Sequence, residues 1–483
     1  MAAGELYLGF DVGTQSTKAL VLDARRGEVV ARAQRQYGLL EGLPPGHLEQ
    51  HPDTWRDAVA ATAREVLAQV DGARIAGLGV AGQQHGCVVL DGQDRVVRPA
   101  KLWCDTATAA QAARLGVPTG FTASKLLWLK ENEPEHWRRV RRVLLPHDYV
   151  NFVLTGAAAM ECGDASGTGC FDPVARTFDR AAMAAIDPAL ANMLPPLRGA
   201  GEFAGRLSAA GATLLGLAAG IPVATGGGDN MLAAIGAGAT RPGVVVVSLG
   251  TSGTIFTRTD APVLDPEGLI APFCSSDGAW LPLLCVMNCT GVAEAVVALT
   301  GLDHAALTAA AREVPPGCEG LLWLPFLTGE RVPDLPAATG TLLGMRPGTL
   351  HPGHLYRAAL EGTSLNLGAG LDRMCQLGIT VAEVRLVGGG ARNPLWRAIL
   401  AAVFGVPVAA LVESEAAALG AALQALWSVR RRTEPGLGLD QVAARFVHLA
   451  GERAEPDAAL VASYRDIAAQ FQRAVRRQYR WTS

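Results

Sequence analysis

Apolar and polar positions fall into alternating blocks along the chain, and the blocks predict strands interleaved with helices. Leu6-Tyr-Leu-Gly-Phe-Asp-Val-Gly-Thr-Gln-Ser-Thr-Lys-Ala-Leu-Val-Leu-Asp23 reads as an apolar strand, a tight Gly13-Thr14-Gln15-Ser16 turn and a second apolar strand. Residues 28–37 predict a third strand, and Asp53 is placed to cap an amphipathic helix from Thr54 through Val70. Ile75 to Ala81 is a buried strand running into Gly82-Gln-Gln-His-Gly86, after which Cys87 to Asp91 continues as another. A helical segment spans 122–140, and a short apolar helix stops at Gly156. Glu161 to Gly169 reads as a polar loop of small residues. From about 243 the opening plan returns: Gly243-Val-Val-Val-Val-Ser-Leu-Gly-Thr-Ser-Gly-Thr-Ile-Phe256 is again strand, glycine turn, strand. A long helix from His354 through Leu377, a strand–Gly turn–helix from Val384 to Trp396, and Ala-rich helices at 414–428 and 457–480 complete the pattern.

At 483 residues the chain is too long for one ordinary core, so two large domains are expected, divided near residue 240 into 1–240 and 241–483. Half the residues are hydrophobic, which is globular composition. The net charge of −3 carries no basic excess, so no nucleic-acid partner is expected. The clusters Arg138–Arg139–Arg141–Arg142 and Arg430–Arg431–Arg432 read as solvated helix ends. No apolar run reaches the ~18 residues of a membrane helix, and no basic-then-apolar leader opens the sequence, so the cytoplasm is the expected compartment. The nine cysteines include no Cys-x-x-Cys pair and predict free thiols. Only four lysines occur, Lys18, Lys101, Lys125 and Lys130, against 38 arginines, which draws attention to each of the four.

The opening turn gathers backbone N–H groups, hydroxyls and one carboxylate at a single tip. That inventory suits a phosphate and its metal, though an ordinary hairpin tip has the same composition. The echo at 249–254 favours two related halves facing one nucleotide. Gln84 and His85 stand in a Gly-bounded turn between apolar strands, where an open α/β sheet places ligand groups; a lone core histidine is the alternative. Asp164 and Ser166 are able to bond a polyhydroxy ligand. In Thr225-Gly-Gly-Gly-Asp-Asn230 a strand ends in three glycines before a helix. Asp229 is either a plain helix cap or a base in a glycine-walled crevice, positioned to take a proton from a hydroxyl. Val384-Arg-Leu-Val-Gly-Gly-Gly-Ala-Arg-Asn393 is suited to contact a nucleotide, but it does not complete Gly-x-Gly-x-x-Gly.

Taken in order, these motifs resemble the FGGY carbohydrate kinases, sugar kinases of the actin-like ATPase superfamily. The resemblance runs from about residue 6 to about 430. It includes Gly340-x-Leu-x-Gly-Met345 followed after eight residues by His354-Leu-x-x-Ala-Ala-Leu-Glu361. Gly82-Gln-Gln-His-Gly86, Asp164-Ala-Ser-Gly167 and Asp229-Asn230 are similar to the ketopentose-phosphorylating branch. The resemblance implies an α/β fold of two actin-like (ribonuclease H-like) domains with an interdomain cleft. The implied reaction is ATP-dependent phosphorylation of a ketopentose's terminal hydroxyl, with D-xylulose ahead of D-ribulose, L-ribulose or a related polyol. Asp229 would be the general base, and Gln84, His85, Asp229 and Asn230 the sugar contacts. Asp11 would hold Mg²⁺. Thr14, Gln15, Ser16, Lys18, Gly250 and Thr251 would hold the phosphates of ATP, and Gly389, Gly390 and Asn393 would flank its adenosine. A homodimer is common in such a family. An additional sugar-binding Arg found in part of this branch has no evident equivalent near Thr119-Gly-Phe-Thr-Ala-Ser-Lys125.

Two rival classes make different demands. An actin- or chaperone-like ATPase needs both phosphate turns but neither the 82–86 cluster nor Asp229 aimed at a hydroxyl. A nicotinamide dehydrogenase needs a complete fingerprint with a downstream acid. A Walker-type site is excluded, since no Gly-Lys-Ser/Thr occurs.

Overall fold

In the computed structural model, which describes residues 5–480, β1 (Leu6–Val12) pairs antiparallel with β2 (Ser16–Asp23) across the opening turn. Every residue of β1 is buried except Asp11, so the strand is covered on both faces and its one carboxylate stands at the accessible end. β3 (Glu28–Gln36) adds antiparallel to β2, and β4 (Ile75–Gly82) adds parallel to β1 on the other side. A parallel neighbour needs a long crossover, and the helix Pro52–Leu67 lies on that connection. Pro222–Ala224 and Phe203–Arg206 extend the sheet beyond β4.

The second sheet repeats this order. β5 (Gly243–Leu249), β6 (Gly253–Thr257) and β7 (Trp280–Val286) are successively antiparallel, and β8 (Val381–Val387) lies parallel to β5 on its free side. Val408–Leu411 and Leu449–Ala454 extend the sheet beyond β8. Two α/β sheets built to one plan are the expected pair of actin-like domains.

Two helices lock the sheets together, α1 (Asp229–Gly236) and α2 (Ala416–Arg430). α2 crosses the first sheet so closely that a β-carbon on Gly9 would sit 2.0 Å from the Ala418 carbonyl oxygen, and one on Gly79 2.1 Å from that of Ala421. α1 and α2 cross each other at the same intimacy: a β-carbon on Gly236 would lie 1.8 Å from Ala416 O, and one on Gly420 1.8 Å from Leu232 O. α1 in turn buries Met231, Leu232 and Ala234 with Val244, Val246 and Phe256 of the second sheet. Each helix therefore packs on the sheet of the other half.

Several local expectations change. The helix at 52 is capped by His51, whose ring accepts from Asp53 N, while Asp53 bonds Arg56 and Tyr149. The 122–140 segment breaks at Glu133–Pro134 into Thr122–Asn132 and Pro134–Arg139, because proline cannot continue the first helix. Within 161–169, Cys162–Ala165 form a single helical turn and most of the segment is buried, with the Glu161 carboxylate accepting from Gly163 N and Asp164 N. The helix Leu439–Phe446 and the strand Leu449–Ala454, unmarked by any strong period, fill the gap between the last two predicted helices. All nine cysteines are free.

Gly9→Ala drives a methyl into main chain that cannot rotate away, and it should lower stability by about 1–3 kcal/mol or more. Gly348→Ala, with open space around its β-carbon, should stay within about 0.5 kcal/mol. Denaturant unfolding of the two variants beside the parent checks both.

Candidate active site

Asp11, the 82–86 turn and Asp229 come together at one edge because neighbouring parallel strands end there. Asp11 lies opposite Ala81, and Gly82 lies opposite both Val12 and Gly228. This is the carboxyl end of the sheet, where α/β folds bind ligands. Gly228 occupies the cap position of α1, so Asp229 is not the helix cap; its Oδ1 accepts from Asn230 N at 2.8 Å and Asn230 Nδ2 at 3.0 Å. Gln424 of α2 fixes the glycine run ahead of it, its amide pairing with Gly226 N and Gly226 O at 2.9 Å each. Asp229 is still partly reached by solvent, yet its burial, with the Asp11 carboxylate close by, pushes its pKa up to about 8.

The groups beside Asp229 form a short chain across the cleft. Asn230 Nδ2 donates to Gln84 Oε1 at 2.9 Å, and Asn230 Oδ1 accepts from Thr254 Oγ1 at 3.0 Å. Thr254 belongs to β6, so this pair ties the first half to the second. His85 adopts a left-handed backbone (φ 64°), with its ring 4.8 Å from Phe121 and 5.8 Å from Phe273 of the second half. Burial and the nearby Lys125 charge hold the imidazole pKa well below the usual histidine range, so the ring is neutral. Gln84 Nε2, His85 Nδ1 and Asp164 Oδ1 are buried without a hydrogen-bond partner. The other oxygen of Asp164 is 2.7 Å from His147 Nδ1. Ser166 is committed to the fold, donating to Cys162 O and accepting from Cys274 N.

In the first turn the Thr14 hydroxyl donates to Gln83 Oε1 and accepts from Trp103 Nε1, each at 2.9 Å. Gln50 Nε2 holds the Thr14 carbonyl at 2.6 Å. Sequence reasoning missed Gln83, Gln50 and Trp103; only the run of polar residues at 82–86 and the lone Trp before Asp105 hint at them. Gln15 is exposed at the tip, and Ser16 Oγ accepts from Gln34 Nε2. Lys18 Nζ lies 2.6 Å from Glu415 and 4.0 Å from Asp11.

The second turn and the triple-glycine turn form one surface. A β-carbon on Gly388 would meet Leu249 O at 2.7 Å, and one on Gly390 would meet the Leu249 side chain. The carbonyls of Gly250 and Thr251 accept from Thr290 N and Cys289 N, so the helix Thr290–Thr300 starts directly behind the turn. Gly389 and Thr251 are exposed. Asn393 is occupied by the fold. Its side-chain carbonyl caps the helix Pro394–Phe404 by accepting from Leu395 N and Trp396 N, and its amide donates to Thr308 and Tyr356.

Asp11 suits a divalent cation. Its Oδ1 is a buried hard oxygen with no partner, and burial raises its pKa to about 6 against the pull of Lys18. His47, Glu49 and Asp105 also lie within metal-binding distance of one another, but Lys101 Nζ already fills that space, 3.0 Å from each carboxylate and 3.1 Å from the imidazole.

Two actin-like halves, a glycine turn in each and a carboxylate at the junction define a phosphotransferase cleft. The chain belongs to the FGGY family of carbohydrate kinases: residues 6–236 match the family's N-terminal domain and residues 245–429 its C-terminal domain. It is an ATP-dependent carbohydrate kinase, and its family pairs ATP with a divalent metal. The xylulose kinase of Haemophilus influenzae is 39% identical over 95% of this chain and 97% of its own. That of Streptomyces coelicolor is 41% identical over 88% of each. The crystal structure of a xyloylose kinase from Brucella ovis, 31% identical, superposes with a TM-score of 0.90 over 97% of this chain and 98% of that one. Neither rival class accounts for these matches. No single helix among the described residues is long and apolar enough to cross a membrane.

Asn393→Ala should cost about 1–2 kcal/mol of stability through the lost cap. The sugar KM should stay unchanged, as read by urea unfolding and steady-state kinetics side by side.

Proposed function

We propose that this chain transfers the γ-phosphoryl group of magnesium–ATP to the terminal hydroxyl of D-xylulose, giving D-xylulose 5-phosphate. The carrying observation is the row of buried, unpartnered polar atoms next to Asp229, namely Gln84 Nε2, His85 Nδ1 and Asp164 Oδ1. Buried polar atoms are rarely left unpaired, and a row of them reached from Asp229 through Asn230 and Gln84 suits a compact polyhydroxy ligand. The xylulose kinase relatives support the choice of sugar.

Asp229 accepts the proton of the attacking hydroxyl, for which a raised pKa is an advantage. Gln84, His85 and Asn230 orient the sugar. Asp11 would hold Mg²⁺, which when bound neutralises charge on the triphosphate. Thr14, Gln15, Ser16, Gly250 and Thr251 cradle the phosphates, Lys18, held by Glu415, supplies a point charge beside them, and Gly389, Gly390 and the turn held by Asn393 receive the adenosine. ATP as phosphoryl donor makes the cytoplasm the natural place of work.

Coupled ADP release across D-xylulose, D-ribulose, L-ribulose and related polyols tests the reading. D-xylulose should give the highest kcat/KM, and ATP hydrolysis indifferent to every sugar would overturn it. Asp229→Asn should lower kcat by about 10²–10⁴-fold while calorimetry still detects sugar binding.

The pH profile follows from the same carboxyl. The reaction needs Asp229 ionised, so kcat/KM for the sugar should fall tenfold per pH unit on the acid side. In the free protein the break would lie near the pKa of about 8. At saturating magnesium–ATP the metal's charge favours the carboxylate and should move the break below 8; a break that stays at 8 or higher counts against a metal at Asp11.

A further inference from the structure

Three of the four lysines are ion-paired: Lys18 with Glu415, Lys101 with Glu49 and Asp105, and Lys130 with Asp187. Lys125 is different. It is 1% exposed, and no carboxylate lies within 4.0 Å of its ammonium among the described residues. Nζ donates instead to two main-chain carbonyls, Gly120 O at 2.5 Å and His85 O at 2.6 Å. Its stem shares a small cavity with Cys87, Val89 and Leu129, beside Arg98 and Lys101. Burial drags the ammonium's pKa down to about 7, so holding the charged form here costs stability.

The two carbonyls belong to different loops. His85 lies in the 82–86 turn, in a left-handed conformation that a side chain disfavours. Gly120 lies in the loop leading to Phe121, and a β-carbon on it would meet Trp103 O at 2.2 Å. Each loop contributes one ring, and the two rings lie against each other at 4.8 Å. Thr122 Oγ1 is a second donor to His85 O, at 3.1 Å. Behind the imidazole there is no slack, since a β-carbon on Gly167 would fall 2.0 Å from its ring atoms. The main chain of His85 is thus gripped from one side and its ring walled in on the other.

We propose that Lys125 is a positioning residue for the sugar site, its ammonium stapling the 82–86 and 118–121 loops so that the His85 imidazole is fixed toward the substrate. The inference rests on the reading of His85 as a sugar contact. It leaves the nucleotide side untouched, because none of the stapled groups belongs to either glycine turn.

Lys125→Met keeps the length and apolar stem while removing the donors. It should raise the D-xylulose KM about tenfold or more and leave the ATP KM within about twofold. Because Lys125 acts through His85, the Lys125→Met/His85→Ala enzyme should have the sugar KM of His85→Ala alone, whereas independent effects would multiply. Multiplying effects, or an ATP KM that rises in step, would overturn the staple. A raised sugar KM in His85→Ala with none in Lys125→Met would also overturn it. An unaltered sugar KM in His85→Ala would overturn the sugar-site reading and this inference with it. Should Lys125→Met not fold, Thr122→Val removes a donor from the same carbonyl. That change should raise the sugar KM about two- to threefold, an effect that disappears in the His85→Ala background; persistence there would overturn the proposal.

Discussion

Backbone touches backbone where α1 crosses α2, and most of the site's geometry depends on that contact. Four glycines, Gly9, Gly79, Gly236 and Gly420, bring main chain against main chain with no side chain between. The Asp229 carboxylate begins α1, and Glu415, the partner of Lys18, immediately precedes α2. The crossing therefore sets the base and the phosphate-side lysine relative to each other. Gln424 adds a second tie, holding the residue three before Asp229 from within α2. A contact made of main chain has no rotamers to absorb error, so it passes small displacements on undiminished.

The first half presents the acceptor side and the second half most of the nucleotide side, and the side-chain pair of Thr254 with Asn230 joins them beside the base. Every polar atom of Asn230 that bonds does so to a residue with its own placement problem: Asp229, Gln84 or Thr254. Shared polar contacts of this kind specify one arrangement more firmly than apolar packing would.

Much of this was legible in the amino-acid sequence. The two strand–glycine turn–strand units, the triple glycine before Asp229 and the Gly-bounded Gln84–His85 cluster are local patterns, and local patterns survive without coordinates. Partners distant in sequence were not legible. Lys18 looks free for phosphate until Glu415, 397 residues on, is placed beside it. Asn393 looks like a ligand until its amide and carbonyl are seen capping and bracing a helix. Ser166 is spent on Cys274 in the other half. Gly9, Gly79, Gly236 and Gly420 are unremarkable singly; their role exists only where α2 crosses the first sheet and α1. Asp53 lost the cap to His51 because proline at the next position starts the helix earlier.

The cysteines carry one more consequence. All nine thiols are free, and burial pushes each one's pKa upward, from Cys87 near the sugar site to Cys375, the exposed one. Oxidants and electrophiles attack the thiolate, the form that these upward shifts disfavour. Raised thiol pKa values therefore slow thiolate chemistry at every cysteine, the exposed Cys375 included.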